Sequence, residues 1–301
     1  MAEDRAETAA ALDEVLQGCI LTEPRRIHLK DWPTAHRIDG LDKASGRAAL
    51  AQEVAAVALL QQKLFAARRW GMLFILQSMD AGGKDSTIRH IFRGIDPEGL
   101  RVSSFKQPSR EELGQDFLRR TNQGLPQRGE IAVFNRSYYE EVLITRLHPE
   151  MLAAEHLPKP ERTEEIWQHR LEDIGGHERY LSRQGLPVLK FFLHISKEEQ
   201  KQRFLRRINR PDKLWKFDPS DMSERALWDR YAHAYEQVIG QTAAAHAPWF
   251  IIPADHKWAA RLLVAHALRR ALERIDPHFP KPTAQARAAA AEAKRLLEAE
   301  G

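Results

Sequence analysis

The chain has 301 residues, 43% hydrophobic and 29% charged, the make-up of an ordinary globular protein of one large domain or two small ones. No run approaches the ~20 apolar residues that cross a bilayer, and the acidic, Ala-rich MAEDRAETAA lacks the apolar stretch of a secretory signal. A net charge of +4 is too mild to indicate a polyanion partner, while one cysteine, Cys19, excludes an internal disulfide and suits a reducing, cytoplasmic setting.

Residues 1–44 read as short pieces broken by Pro24, Pro33 and Gly40, an extension expected to wrap the core. Helical periodicity then runs over Ser45–Arg69 and leads into the apolar run Met72–Gln77. Four more short apolar runs follow: Arg101–Phe105, Ile131–Phe134, Val188–Ile195 and Trp249–Ile252. Such unalternating runs suit strands buried on both faces of a parallel sheet. Helical stretches separate them at Arg110–Arg120, Glu161–Arg183, Ser196–Ile208 and Ser223–Ala245. The alternation predicts an α/β fold, a parallel five-stranded sheet in a three-layer α/β/α arrangement, with the core over 45–276. Ser196 and Glu199 form a capping-box pattern that starts a helix directly after the fourth strand. Beyond Pro277, Pro280 and Pro282, residues 277–301 form an Ala-rich helical tail.

The first strand runs into Ser78-Met-Asp-Ala-Gly-Gly-Lys-Asp-Ser-Thr87 and then a helix, the context of a phosphate-binding loop. Ser78 stands where such loops carry their first glycine, and Asp85 where Ser or Thr is usual. Ala81, Gly82 and Gly83 leave room for backbone N–H groups to wrap a phosphate, and Lys84 supplies charge. Ser86 or Thr87 offers the hydroxyl that meets magnesium in other P-loops. Asp80 inside an anion cradle makes sense if a metal ion lies between its carboxylate and the phosphates. The third strand ends in Asn135-Arg136-Ser137-Tyr138-Tyr139-Glu140-Glu141, at the carboxyl edge where open α/β sheets bind ligands. Between Lys201 and Lys216, seven bases (Lys201, Arg203, Arg206, Arg207, Arg210, Lys213, Lys216) accompany one interior acid, Asp212. Pro211 and Pro219 break that segment into helix, loop and helix, the outline of a mobile lid over about 201–230.

These motifs resemble the polyphosphate kinase 2 family. DAGGKDST is similar to its D-A-A-G-K-D-G-T loop, FNRSYYEEVL to its second motif, and PDKLWKFDP with Trp215, Lys216 and Phe217 to its lid. SFKQPSREEL from Ser104 and PWFIIPADHKW near Pro248 also match, so the likeness covers most of 70–260. Asn135 and Glu140 are similar to the subgroup called class III, in which the glutamate accompanies acceptance of both AMP and ADP. The resemblance implies a Mg2+-dependent phosphotransferase between inorganic polyphosphate and adenine nucleotides, with guanine nucleotides a second candidate. It implies Asp80 as metal ligand and Asp80, Lys84, Arg136 and Glu140 as the catalytic set. Ala81, Gly82, Gly83, Asp85, Ser86, Thr87 and Lys106 would bind phosphate. Arg203, Arg206, Arg207, Arg210, Lys213 and Lys216 would serve on the lid. An assembly of two or four copies would be usual for the family.

Thirteen histidines show no metal-ligand spacing, and neither a G-x-S-x-G elbow nor a G-x-G-x-x-G loop occurs. Two rivals keep the same residues: an ATP-dependent nucleoside monophosphate kinase, and a non-catalytic polyanion-binding module. Neither a nucleic acid nor a membrane is an expected partner.

Overall fold

The structure, a computed structural model, describes residues 2–155, 157–158 and 165–300. In chain order its elements are α1 (Ala2–Cys19), β1 (Ile20–Leu21), α2 (Lys43–Ala67), β2 (Met72–Ser78), α3 (Lys84–Ile91) and β3 (Leu100–Ser104). Then come α4 (Arg119–Asn122), β4 (Ile131–Asn135), α5 (Glu140–Leu147), α6 (Pro149–Ala153), α7 (Ile166–Arg183) and β5 (Val188–His194). The last are α8 (Lys197–Ile208), α9 (Pro211–Leu214), α10 (Ser220–Ala226), α11 (Trp228–Thr242), β6 (Trp249–Pro253), α12 (Lys257–Ile275) and α13 (Ala284–Ala299).

The sheet has six strands in the order β1-β6-β5-β2-β4-β3, not the five expected. Five are parallel, and the sixth, β1, pairs antiparallel with β6 through Ile20↔Phe250 and Leu21↔Trp249. A two-residue strand carries no periodicity, so only its partner reveals it. Every residue of β2, β5 and β6 is buried, as strands covered on both faces must be. One layer of helices comprises α2, α3 and α1 against α12; the other comprises α5, α7 and α11. Across the first face runs a file of rings, Phe250–Phe191–Phe74–Phe92, with centroids 5.0, 4.7 and 5.3 Å apart. Phe92 caps α3, so the file ties the phosphate-loop helix to the sheet.

Several local expectations are corrected. The amino-terminal segment is not only short pieces, for α1 is a continuous 18-residue helix packed on α12 and β6. Arg110–Arg120 is not a helix. Ser109 and Glu112 bond reciprocally to close one 3₁₀ turn at Glu112–Gly114, and Asp116 then caps the restart by accepting from Leu118 N–H. The stretch from Ser223 breaks at Leu227 into α10 and α11. The start of the helix expected over Glu161–Arg183 lies partly outside the described residues, and α7 runs from Ile166. Ser196 caps α8 by accepting from Glu199 N–H at 3.0 Å, but the box is only half made. Glu199 turns to Arg203 and Arg206, and Ser196 N–H goes to Asp255 instead.

Candidate active site

The loop after β2 is tightly wound. Gly83 has φ +103° and Ala81 φ 57°, a left-handed conformation that costs a residue with a Cβ of order 1 kcal/mol and clusters at functional sites. Lys84 arches back over the loop, donating to the Ser78 carbonyl at 3.0 Å and to Ser78 Oγ at 3.1 Å. Ser86 Oγ bonds inward to the Gly83 carbonyl at 2.9 Å, and Thr87, whose N–H caps the same carbonyl, is buried.

The second left-handed residue on this edge is Arg136, with φ 67°, just after β4. Its N–H bonds to the Leu76 carbonyl, and its guanidinium reaches Asp80 at 3.3 Å and Glu140 at 3.8 Å. Two strained turns on neighbouring strands therefore bring Asp80, Lys84, Arg136 and Glu140 together. Burial, then the nearby Arg136, lowers the Lys84 ammonium, while Asp80, Glu140 and Asp85 act the other way. Burial raises the Glu140 carboxyl, opposed by Arg136 and Lys84. Arg136 is held charged more firmly than usual, chiefly by Glu140. The group is a compact alternation of charges in a partly dry site, where each is worth more than in water.

These four residues are part of the lining of a cavity of about 420 Å³. The same lining includes the apolar Phe105, Pro108, Leu143, Ile144, Met151 and Trp228. Tyr231 and His148, also in the lining, meet on Glu224, at 2.6 and 3.2 Å. Lys106 stands on the rim, its carbonyl accepting from Arg120. Asp85 faces away from the cavity lining and accepts from Asn135 Nδ2 at 2.8 Å, so the asparagine orients a loop acid.

The expected lid bases divide. Arg203 is buried, not displayed on a lid: Nη1 donates to the Gly82 carbonyl at 2.6 Å and the Ala81 carbonyl at 3.2 Å, Nη2 to Ala254, and Nε to Glu199. It holds the phosphate loop from below. Arg206 pairs with Glu199 at 2.7 Å, Arg207 with Asp221 at 3.1 Å, and Arg210 with Asp212 at 2.7 Å. Lys216 approaches Asp85 at 3.7 Å, and Lys213 has no ion-pair partner among the described residues. Counting charges within one window missed Glu199, which helical geometry brings round to Arg203 and Arg206, and Asp221, which only the turn of the chain supplies.

Three residues escaped the sequence reading. Gln200 donates to the Asp80 carbonyl at 2.9 Å and is held by Arg225 at 2.6 Å. Tyr235 donates to the Ser78 carbonyl at 3.1 Å, bracing the loop from α11. Arg120 pairs with the buried Glu141 at 2.8 Å, both of them in the cavity lining. A glutamine in the first turn after β5, at the binding edge, was the one signal available. For Tyr235 and Arg120 there was none.

Among the described residues no cluster of three His, Cys, Asp or Glu side chains forms a metal cage. A magnesium ion held mainly by phosphate oxygens and water needs only one or two protein carboxylates. Asp80, about one-third exposed and engaged by a single Arg136 contact, keeps acceptor capacity for that purpose. The donor set fits such an ion.

The profile of the polyphosphate kinase 2 family matches residues 40–280. The chain is 44% identical over 264 residues to an ADP-polyphosphate phosphotransferase of Rhodopseudomonas palustris, covering 87% of this chain and 91% of that one. It is also 44% identical over 223 residues to an AMP/ADP-polyphosphate phosphotransferase of Meiothermus ruber, covering 74% and 79%. The crystal structure of polyphosphate kinase 2 from Arthrobacter aurescens TC1 superposes with a TM-score of 0.82 at 34% identity, over 94% of this chain and 96% of that one. The sheet, the phosphate loop and the long-range likeness agree, and the chain belongs to the polyphosphate kinase 2 family.

Proposed function

We propose that this chain transfers phosphate between inorganic polyphosphate and ADP or AMP, with Mg2+ as the divalent metal. One observation carries the reading: Lys84, Arg136, Asp80 and Glu140 converge in the wall of one cavity of about 420 Å³ that is also lined by apolar side chains such as Phe105, Leu143 and Trp228. In the forward direction an oxygen of the nucleotide's terminal phosphate attacks the terminal phosphorus of the polyphosphate. A new P–O bond forms, the P–O bond to the bridging oxygen breaks, and the shortened chain leaves with that electron pair. The attacking oxygen is already anionic, so no strong general base is required. Positioning and charge neutralisation suffice.

In this reading Lys84 and Arg136 face the oxygens of the transferred group, and the amides around Gly82 and Gly83 cradle its neighbour. Asp80 would hold the magnesium, whose charge offsets that gathering on the phosphates. Glu140, next to Arg136, keeps that guanidinium aimed and separates the two substrates' phosphates by charge. Asn135 and Glu140 support acceptance of both AMP and ADP, as in class III members. Lys213 and Lys216 are the lid bases least committed to other partners. A cytoplasmic setting suits Cys19, whose buried thiol is pushed up to about 12.

The test is formation of ADP and ATP from AMP, and of ATP from ADP, with long-chain polyphosphate and magnesium, beside an ATP-donor control. Polyphosphate-driven turnover that collapses in Asp80→Asn with the fold intact is expected. Turnover with ATP as the sole donor would replace this reading with that of a nucleotide kinase.

A further inference from the structure

A primary amide has two unlike ends, a nitrogen that donates hydrogen bonds and an oxygen that accepts them. Gln200 stands at the start of α8, just after β5, only 2% exposed, and its two ends are engaged by different elements. Nε2 donates to the Asp80 carbonyl of the phosphate loop at 2.9 Å, and Oε1 accepts from Arg225 Nη1 at 2.6 Å. Turning the amide over would set oxygen against a carbonyl and nitrogen against a guanidinium. The two neighbours together therefore fix which way it faces.

Arg225 belongs to the lid, on α10. Its Nη1 also donates to the Lys197 carbonyl at 2.9 Å, while its Nε and Nη2 take no partner among the described residues. The preceding residue, Glu224, fastens α10 elsewhere, through Tyr231 on α11 and His148 at the end of α5. Asp221, four residues before Arg225, has its carboxyl raised, by burial first, with Asp80 among the like charges that add to it. Ser220, Asp221, Glu224 and Arg225 all line the cavity. So α10 forms part of the wall within the field of Asp80, and adjacent side chains tie it to the phosphate loop and to α5 and α11.

This arrangement makes Asp80 depend on α10. The next residue, Ala81, holds a left-handed φ of 57° that persists only where its surroundings maintain it. With α10 seated, both ends of the Gln200 amide are satisfied. With α10 withdrawn, Oε1 becomes a buried acceptor without a donor, which is unfavourable in a way that an exposed one is not. The amide then turns to find a new donor, and the Asp80 carbonyl loses its own.

We propose that Arg225 and Gln200 are positioning residues, through which the seating of α10 sets Asp80 and the divalent metal it would hold. The metal's part rests on the phosphotransferase reading; the relay itself rests on the hydrogen bonds. The experiment measures Mn2+ binding to the full chain at saturating ADP, by the loss of the free-ion paramagnetic resonance signal. It compares wild type, Gln200→Leu, Arg225→Gln and the double variant. Each single change should weaken Mn2+ about ten-fold, as loss of a metal ligand's supporting partner does, and the double variant should be no weaker than either. Charge alone gives Arg225→Gln the opposite sign, since removing a cation beside a cation site tightens that site. Unchanged or tighter Mn2+ in Arg225→Gln would overturn the proposal, as would losses that multiply in the double variant. ADP affinity of Gln200→Leu without metal, in chelator, should match wild type; a loss there equal to the Mn2+ loss would overturn it too. Arg225 is half-buried, so its variant should melt with wild type and decides the matter alone if Gln200→Leu melts early. Turnover is measured in parallel. Its absence in wild type, with the Mn2+ pattern intact, would sink the phosphotransferase reading and leave the relay standing.

Discussion

A methyl group added at Gly82 would stand 2.2 Å from Ser78 Oγ, 2.5 Å from Ser78 Cβ and 2.8 Å from the Met79 carbonyl oxygen. Two of those three atoms belong to one side chain, and Ser78 occupies the position where P-loops usually carry glycine. The family motif that resembles this loop has alanine where Gly82 stands. The two positions therefore exchange volume, and Gly82→Ala should be harmful only while Ser78 remains. Forcing a methyl into a packed site costs ~1–3 kcal/mol, and the backbone contact at Met79 places Gly82→Ala in the upper part of that range. Ser78→Gly by itself loses the Oγ that accepts from Lys84, worth ~1 kcal/mol, and adds backbone freedom worth ~0.5–1 kcal/mol. In the double variant the first two clashes vanish, so a favourable coupling of ~1–2 kcal/mol is expected. The readouts are urea unfolding and the rate of polyphosphate-dependent ATP formation. The latter should fall ~100-fold in Gly82→Ala, in which a loop displacement misplaces Lys84, and largely recover in the double variant. Additive losses, or a Gly82→Ala protein as stable and active as wild type, would refute the reasoning.

Lys190, fully buried on β5, donates to Glu178 at 2.5 Å and to the Thr242 carbonyl at 2.6 Å, and Glu178 also takes the hydroxyls of Tyr138 and Tyr139. Lys190→Met should cost ~3 kcal/mol in urea unfolding, whereas Lys190→Met with Glu178→Gln should lie close to wild type; equal losses in both would show the pair is not the cause. Arg203→Met leaves the Ala81, Gly82 and Ala254 carbonyls without their donor and should cost at least ~2 kcal/mol. Arg203→Lys should not restore stability, since one ammonium cannot replace the planar fork, and full recovery would contradict this. Lys257, pushed down to about 8 by burial, Arg203, Arg206 and Arg261 against Glu199, should lose its proton between pH 7 and 9. Urea unfolding at stepped pH checks the consequence for stability, and parallel profiles for wild type and Lys257→Gln between pH 8 and 10 would refute it. The unfolded chain holds this proton up to the ordinary lysine value of ~10.4, so stability attributable to Lys257 rises with pH above 8.

What could be read from the sequence followed from strong local signals. Four of the five parallel strands were visible because doubly covered strands are predominantly apolar, and the phosphate loop because glycines, lysine and strand-to-helix context coincide; β3, expected to be buried like the others, is a half-exposed edge strand of sequence LRVSS that only its position between better candidates marked. The gathering of Asp80, Lys84, Arg136 and Glu140 in one cavity wall was legible in kind, since both segments follow strands at the same sheet edge. The left-handed turns at Ala81 and Arg136 were not, because neither residue type announces a positive φ. Arg203 shows the same limit from the other side. Within its helix it belongs to a basic face, and only the third dimension places three loop carbonyls around it. β1 and the true extent of α1 depended on partners more than 200 residues away.

That distance has a consequence for how the chain is made. α1 leaves the ribosome long before its docking surface, β6 and α12, which is formed by residues 249–275. The antiparallel bridge from Ile20 to Phe250 closes a loop of nearly the whole core. Until that late strand emerges, the early helix has no apolar surface to cover and the outer edge of β5 has no neighbour. Synthesis order and assembly order therefore run in opposite directions at this edge. The α1–β1 segment acts as a closing clasp, fastened last, and a chain halted before residue 250 would leave β5 open to pairing with another nascent chain.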